Sequence, residues 1–376
     1  FTLLLKSAFL ILFLTNVNAE EPRFYIPDAP AIAAEAFVVM DHNSGKILAS
    51  HNENEMRPPA SLTKLMTSYV IFKRLKEGFI TLDEEVKISE KAWRTGGSRS
   101  FIEVGKMIKL EDLLKGMIIQ SGNDASVALA EHVAGSEGTF VLFMNDYAEQ
   151  IGMKNSNFEN SSGLPHDNQY STAKDMAILS SAMIRDFPDY YKWYSEKEFT
   201  YNNITQPNRN KLLSRDSTVD GLKTGWTKKA GYCLVTSANR VGMRLISVVL
   251  GSESPDIRIT ETEKLLDYGF RFIETQSVND ISHQVPVYRS KQANIKVGVS
   301  DTSFLTLPRN QFKYTTQTIN LSGDLIAPIN KGDQVGTLVI SFSNEDIETL
   351  PLIALEDAIE GGIFTKMIDT IKLMFR

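Results

Sequence analysis

Three short motifs follow one another along the 376 residues: Ser61-Leu62-Thr63-Lys64, Ser121-Gly122-Asn123 and Lys223-Thr224-Gly225. A serine hydroxyl becomes a competent nucleophile when a neighbouring base takes its proton, and a lysine one helical turn away serves if burial and nearby cations keep its amine neutral. Ser61 and Lys64 have that spacing. Ser61 near a helix start also turns its backbone N–H toward a reacting carbonyl, half of an oxyanion hole, and the N–H of Trp226 after the third motif would supply the other half. Ser121 would relay a proton to the leaving amine, and the Asn123 amide would hold the substrate. Lys223 adds positive potential, Thr224 offers a hydroxyl to a carboxylate, and Gly225 leaves room beside the chain for a ligand. Together they describe a serine acyl-transfer site.

Each motif alone is weak, since a serine three residues before a lysine is expected about once or twice by chance in a chain this long. Ser171-Thr172-Ala173-Lys174 has the same form, but no Ser-x-Asn lies between it and Lys223. Ser237-Ala238-Asn239 and Ser277-Val278-Asn279 repeat the middle pattern after the single Lys-Thr-Gly. Only the set beginning at Ser61 is complete and ordered.

The elements that must position these residues can be read from periodicity. Ala36 to Met40 and Lys46 to Ser50 read as strands around the turn signal Asn43-Ser44-Gly45. From Ser61, apolar residues recur at helical spacing until Gly78. Helical patterns then cover Leu110 to Ile119, Asp124 to Val133, Thr139 to Ile151 and Ala173 to Arg185, with Ser121 and Asn123 in the loop between the first two. Strand character returns over Gly221 to Gly225, Tyr232 to Ala238 and Leu245 to Leu250, followed by a helix over Ile259 to Tyr268. Strands before and after a helical block imply an α/β body whose sheet is assembled from both ends of the domain. From about Gln276 to Leu355, short alternating stretches between Gly and Asp turns predict a small all-β domain.

Composition is that of a globular chain, 42% apolar and 23% charged. Forty basic and 46 acidic residues leave a formal charge of -6 without a long basic run, which argues against a nucleic-acid partner. Residues 1–19 read as a secretory signal, with Lys6, an apolar run from Ala8 to Leu14, and Val17-Asn18-Ala19 for cleavage. Export would permit disulfides, but Cys233 is the single cysteine and reads as a buried strand residue. The five histidines have no ligand-like spacing, so neither a metal nor another cofactor is expected. After Gly361-Gly362, Ile363, Phe364, Met367, Ile368, Ile371, Met374 and Phe375 fall on one helical face. This terminal amphipathic helix is too short to span a bilayer, but it would lie on a membrane surface with Lys366, Lys372 and Arg376 near headgroups.

The three motifs are those of penicillin-binding proteins and class A β-lactamases. Gln120-Ser121-Gly122-Asn123-Asp124-Ala125, Asp220-Gly221-Leu222-Lys223-Thr224-Gly225 and the run Leu265 to Glu274 narrow the likeness. The chain resembles the low-molecular-mass penicillin-binding proteins that are D-alanyl-D-alanine carboxypeptidases, over essentially its whole length. The resemblance implies an α/β penicillin-recognising serine acyl-transferase domain over residues 20–275, a β-rich domain over 276–355 and an anchoring helix over 356–376. It also implies removal of the terminal D-alanine from peptidoglycan pentapeptide stems through an acyl-enzyme on Ser61, which β-lactams trap. In that scheme Lys64 is the base, Ser121 the proton relay and Asn123 a substrate-amide ligand, while Lys223, Thr224 and Gly225 border the substrate end. Arg258 matches the family's arginine for the terminal carboxylate. Family members often carry His where this chain has Trp226. The expected location is the periplasmic face of the cytoplasmic membrane.

Three other readings share the acyl chemistry or the ligand. A class A β-lactamase would need a Glu-x-x-Leu-Asn stretch, yet no Leu-Asn dipeptide occurs and Gly122 replaces the usual Asp. A DD-endopeptidase would use the same acylation on a larger leaving group. A low-turnover shape factor would bind cell-wall peptides or β-lactams.

Overall fold

Residues 27–278, 281–299, 303–342 and 345–375 are described by the computed structural model. The expected signal, residues 1–19, and Arg376 lie outside them. A five-stranded antiparallel sheet forms the first body from β1 (Ala36–Asp41), β2 (Ile47–His51), β3 (Val219–Thr227), β4 (Gly231–Arg240) and β5 (Met243–Ser252). Its order is β2-β1-β5-β4-β3, so the strand carrying the third motif is an edge. Both ends of the sequence segment do build the sheet.

Period-two alternation divides the strand side chains between two cores. Val38, Met40, Val235, Ile246 and Val248 face the helical block, whereas Phe37, Val39, Leu234, Leu245 and Val249 face the opposite layer. The block contains α1 (Thr63–Lys76), α2 (Leu110–Ile119), α3 (Asn123–Ala134), α4 (Glu137–Gln150) and α5 (Ala173–Asp186). Ser136 and Thr172 cap α4 and α5 by accepting the N–H groups of Thr139 and Asp175. The opposite layer is α6 (Pro255–Phe272), capped by Ser254, with Pro255 in its first turn. This helix is longer at both ends than the stretch predicted from Ile259 to Tyr268, because cap and proline signals define its start better than apolar spacing. Two short antiparallel pairs, Glu85–Lys87 with Met107–Lys109 and Glu198–Tyr201 with Ile204–Pro207, are absent from the predicted elements. Their strands are too short for alternation to stand out.

The second body is all-β. Its six-stranded sheet runs in the spatial order Thr315–Leu321, Gln334–Phe342, Glu345–Ala354, Asn294–Gly298, Ser282–Tyr288, Leu325–Ile326. A further pair joins Ile273–Ser277 to Phe304–Pro308. Ile295, Val297, Leu338 and Leu352 are wholly buried in its core. Thr306 ties this body to the β1–β2 turn: its hydroxyl lies 2.6 Å from Ser44 Oγ, and its carbonyl accepts from Lys46 Nζ at 3.1 Å.

The chain continues into α7 (Ile363–Met374). Asp369 on this helix is buried and accepts the backbone N–H of Arg289 at 2.7 Å. Ile363, Phe364, Met367, Ile368, Ile371 and Met374 are exposed. Among the described residues, no helix is long and apolar enough to cross a membrane.

Candidate active site

Ser61 lies in a 3-10 turn, Ala60–Leu62, that runs directly into α1. The helical register brings Lys64 Nζ to 3.1 Å from Ser61 Oγ. Lys64 is 1% exposed. Its ammonium also donates to Asn123 Oδ1 at 2.6 Å and to the carbonyl of Ser162. Burial pulls the Lys64 pKa down to about 7, against the opposing pull of the Asp124 carboxylate. A large share of the amine is therefore neutral near pH 7, the state a base requires.

The second motif enters from the start of α3. Asn123 is the first helical residue and Gly122 the N-cap, so Asn123 belongs to the helix rather than to the loop before it, and no side chain caps this end. The Asn123 side chain is free of capping and joins Lys64, while its amide donates to Gly96 O at 2.7 Å. Ser121 has φ +69°, and its buried hydroxyl makes no hydrogen bond. Crowding explains the glycine between them: a Cβ on Gly122 would lie 2.0 Å from Ser100 Oγ. The loop bearing Ser98 and Ser100 closes over this motif, with Ser98 O accepting the Asn123 N–H at 2.8 Å.

The third motif lies within β3, which continues through Trp226 and Thr227 instead of turning at Gly225. A Cβ on Gly225 would stand 3.3 Å from the backbone nitrogen of Ser61, so glycine permits the edge strand to pass against the nucleophile's turn. Lys223 is 2% exposed. Burial, followed by the charges of Lys64, Arg209 and Arg258, holds its pKa well below the usual lysine range. Trp226, by contrast, is 56% exposed and packs at 5.8 Å against Tyr232.

Arg258, in the first turns of α6, donates through Nη1 to Gly225 O at 3.3 Å and Cys233 O at 3.2 Å. It braces β3 against β4, and its buried Nε has no partner. A cleft of about 360 Å³ gathers Ser61, Ser121, Thr224, Trp226, Arg258 and Arg209. Arg209 was not among the residues picked from sequence. Its Nε donates to Gln120 Oε1 at 3.1 Å, beside the second motif. No motif surrounds it, and only the fold brings its loop to the site. Lys64, Asn123 and Lys223 lie behind the cleft wall. Thus a nucleophile with a basic neighbour, an unpartnered hydroxyl and two guanidiniums surround one small space, a combination suited to acyl transfer from a substrate ending in a carboxylate. Elsewhere, His132 hydrogen-bonds Glu84 at 2.9 Å and Cys233 is wholly buried.

Comparison with known proteins agrees with this geometry. The family described as D-alanyl-D-alanine carboxypeptidase matches residues 24–254, and the C-terminal domain of penicillin-binding protein 5 matches residues 270–360. D-alanyl-D-alanine carboxypeptidase DacC of Escherichia coli is 44% identical over 98% of this chain and 94% of its own length. The crystal structure of penicillin-binding protein 5 from Haemophilus influenzae is 42% identical and superposes with a TM-score of 0.82, covering 88% of this chain and 99% of that one. Penicillin-binding protein D2 from Listeria monocytogenes, solved in its ampicillin-bound form, is 31% identical with a TM-score of 0.59 over 66% of this chain and all of that one. With its own catalytic body and its β-rich second body both accounted for, the chain belongs to the D-alanyl-D-alanine carboxypeptidase family.

Proposed function

We propose that this chain is a serine-type D-alanyl-D-alanine carboxypeptidase that removes the terminal D-alanine of peptidoglycan pentapeptide stems. The observation that carries the reading is the buried Lys64 amine, 3.1 Å from Ser61 Oγ and with its pKa lowered to about 7.

Ser61 Oγ attacks the carbonyl of the penultimate D-alanine while Lys64 takes the hydroxyl proton. The N–H groups of Ser61 and Trp226 stabilise the oxyanion. Ser121 passes a proton to the departing nitrogen, D-alanine leaves, and an ester on Ser61 remains. Water then attacks the ester, giving the shortened peptide and restoring the serine. Asn123 orients the acyl amide, while Lys223, Thr224 and Arg258 favour the terminal carboxylate, with Gly225 leaving space for the peptide. A β-lactam enters the same steps and forms an ester that hydrolyses slowly.

The enzyme acts on the periplasmic face of the cytoplasmic membrane, held peripherally by α7. The secretory pattern of residues 1–19 and the exposed Phe364, Met367, Ile371 and Met374 support this placement.

The test compares the purified protein with its Ser61→Ala variant on a pentapeptide ending in D-alanyl-D-alanine, reading released D-alanine and covalent labelling by a fluorescent penicillin. Release and labelling that both require Ser61 support the reading. Labelling without release points to an endopeptidase or a non-turnover role, and absence of both removes the Ser61 mechanism.

A further inference from the structure

Lys64 has three hydrogen-bonding neighbours, and two of them can only accept. One is the carbonyl of Ser162. Another is Asn123 Oδ1 at 2.6 Å, whose orientation is fixed because the amide nitrogen is committed to Gly96 O at 2.7 Å. The third is Ser61 Oγ, at 3.1 Å. A neutral amine has two N–H bonds and one lone pair. The two acceptors take the N–H bonds, which leaves the lone pair directed at the Ser61 hydroxyl, along the path its proton must travel. The position of the Ser162 carbonyl is therefore part of the geometry of the base.

No regular element holds that carbonyl. Residues 160–163 belong to no helix or strand, so side chains from the surrounding elements must fix it. Ser161 and Ser162 are both buried. Ser161 O accepts the hydroxyls of Thr67 on α1 and Ser126 on α3, each at 2.6 Å. From the other side, the Ser161 N–H and hydroxyl both donate to one oxygen of Glu137, at 3.1 and 2.8 Å. Gly163 sets the segment against the nucleophile's turn: its φ is +85°, and a Cβ there would lie 1.8 Å from the carbonyl oxygen of Ala60.

Glu137 lies in the first turn of α4, where a carboxylate suits the free N–H groups of a helix start. Its second oxygen pairs with Lys91 Nζ at 2.8 Å. Burial works against the charge, but Lys91 and the two Ser161 donors outweigh it and hold the Glu137 pKa below the usual carboxylate range. The side chain is thus a permanent acceptor, and its two bonds to Ser161 are charge-assisted, the stronger kind.

We infer that Glu137 is a positioning residue for acylation: through Ser161 it fixes the Ser162 carbonyl, and through that carbonyl it aims the Lys64 lone pair at Ser61. The inference rests on Lys64 as the base in the carboxypeptidase reading, and it adds a residue that does not line the active-site cleft.

Penicillin acylation by the intact protein, followed against pH in a single turnover and normalised to the number of sites finally labelled, tests it. Glu137→Ala should lower the plateau rate by about tenfold. It should also move the acid limb to lower pH, because a displaced carbonyl no longer favours the ammonium, while Asp124 and Lys223, the charged groups facing Lys64, are unchanged. Glu137→Gln keeps an oxygen for Ser161 and should stay within about twofold of the native rate. Ser161→Ala removes one of the two donors and should lower the plateau by about threefold; it decides the matter alone if Glu137→Ala does not fold. A native plateau and acid limb in both alanine variants overturn the assignment. So does a loss in Glu137→Gln as large as in Glu137→Ala, or a loss confined to the number of labelled sites. Failure of Lys64 as the base looks different, since acylation by the native protein would then be independent of pH.

Discussion

Lys64 and Ser61 meet at 3.1 Å across a space where the lysine is almost wholly removed from water. The pairing turns burial, normally a cost for an ammonium, into chemistry, because desolvation pulls the amine down from the ordinary lysine range to about 7. Penicillin acylation and D-alanine release should therefore rise with pH through about 7 and be lost below it. The Lys64 charge in turn helps hold the Lys223 pKa below the usual lysine range, after burial. Stability has its own sign. Between about 7 and 10.5 the unfolded chain binds more protons at Lys64 than the folded chain, so this residue's contribution makes stability increase with pH across that window. Lys64→Arg keeps a cation of about the same reach and should cost at least ~1,000-fold in acylation. A pH-independent acylation rate between 5 and 9 would remove Lys64 as the base.

Asp124 connects that proton to the loop above the site. Its carboxylate is wholly buried, accepts the N–H groups of Ser100 at 2.8 Å and Ala125 at 2.9 Å, and lies 3.9 Å from Arg99. The same charge raises the Lys64 pKa. Asp124→Asn should therefore move the acid limb of the acylation profile to lower pH, since loss of the anion disfavours the ammonium. Weaker hydrogen bonds to the loop should lower stability by about 1–3 kcal/mol. Acylation profiles and chemical denaturation separate the two effects: lost stability with an unmoved acid limb would leave Asp124 a loop clamp alone.

How legible these relationships are from sequence depends on how local they are. The Ser61–Lys64 contact follows from one helical turn, and the sheet's composition from alternation that splits Val38 from Val39 between two cores. The contribution of Asp124 is hidden because its partners lie far off in the chain: Lys64, 60 residues before it, comes near through the packing of α1 on α3, and Ser100, 24 residues before it, through the loop that folds back over α3. Arg209 is hidden for the same reason: it lies in no regular element, and a lone arginine carries no motif. The glycines were only partly readable. Gly225 belongs to a motif, whereas the need for Gly163 emerges from its collision distance to Ala60.

Arg209 and Arg258 share the active-site cleft but are held differently. Arg258 is tied to two strand carbonyls, while Arg209 reaches the cleft through its contact with Gln120. Arg209→Ala should lower kcat/KM about tenfold on a peptide ending in a free carboxylate, with a much smaller loss on the matching C-terminal amide. Arg258→Ala should additionally lower the melting temperature, because it removes a brace between β3 and β4. Equal losses of kcat/KM on acid and amide substrates for Arg209→Ala would show that it does not read the carboxylate.

The terminal helix gives the last prediction its geometry. Asp369 turns inward to the Arg289 N–H, and that single buried acid leaves Phe364, Ile368 and Ile371 facing solvent. Each large apolar side chain withdrawn from water is worth about 1.5–3 kcal/mol. Phe364→Ser and Ile371→Ser should each weaken binding to lipid vesicles by about tenfold or more, and the double change should abolish sedimentation with them. Lys366 and Lys372 are already paired with Glu360 and Asp369, at 2.6 and 2.9 Å, so part of their charge is compensated within the protein. Apolar burial should therefore outweigh attraction to anionic headgroups: raising salt should reduce binding less than either serine substitution does. Vesicle sedimentation by the intact protein and these variants, at low and high salt, measures both effects. Unchanged binding in the double variant would dismiss α7 as the membrane contact.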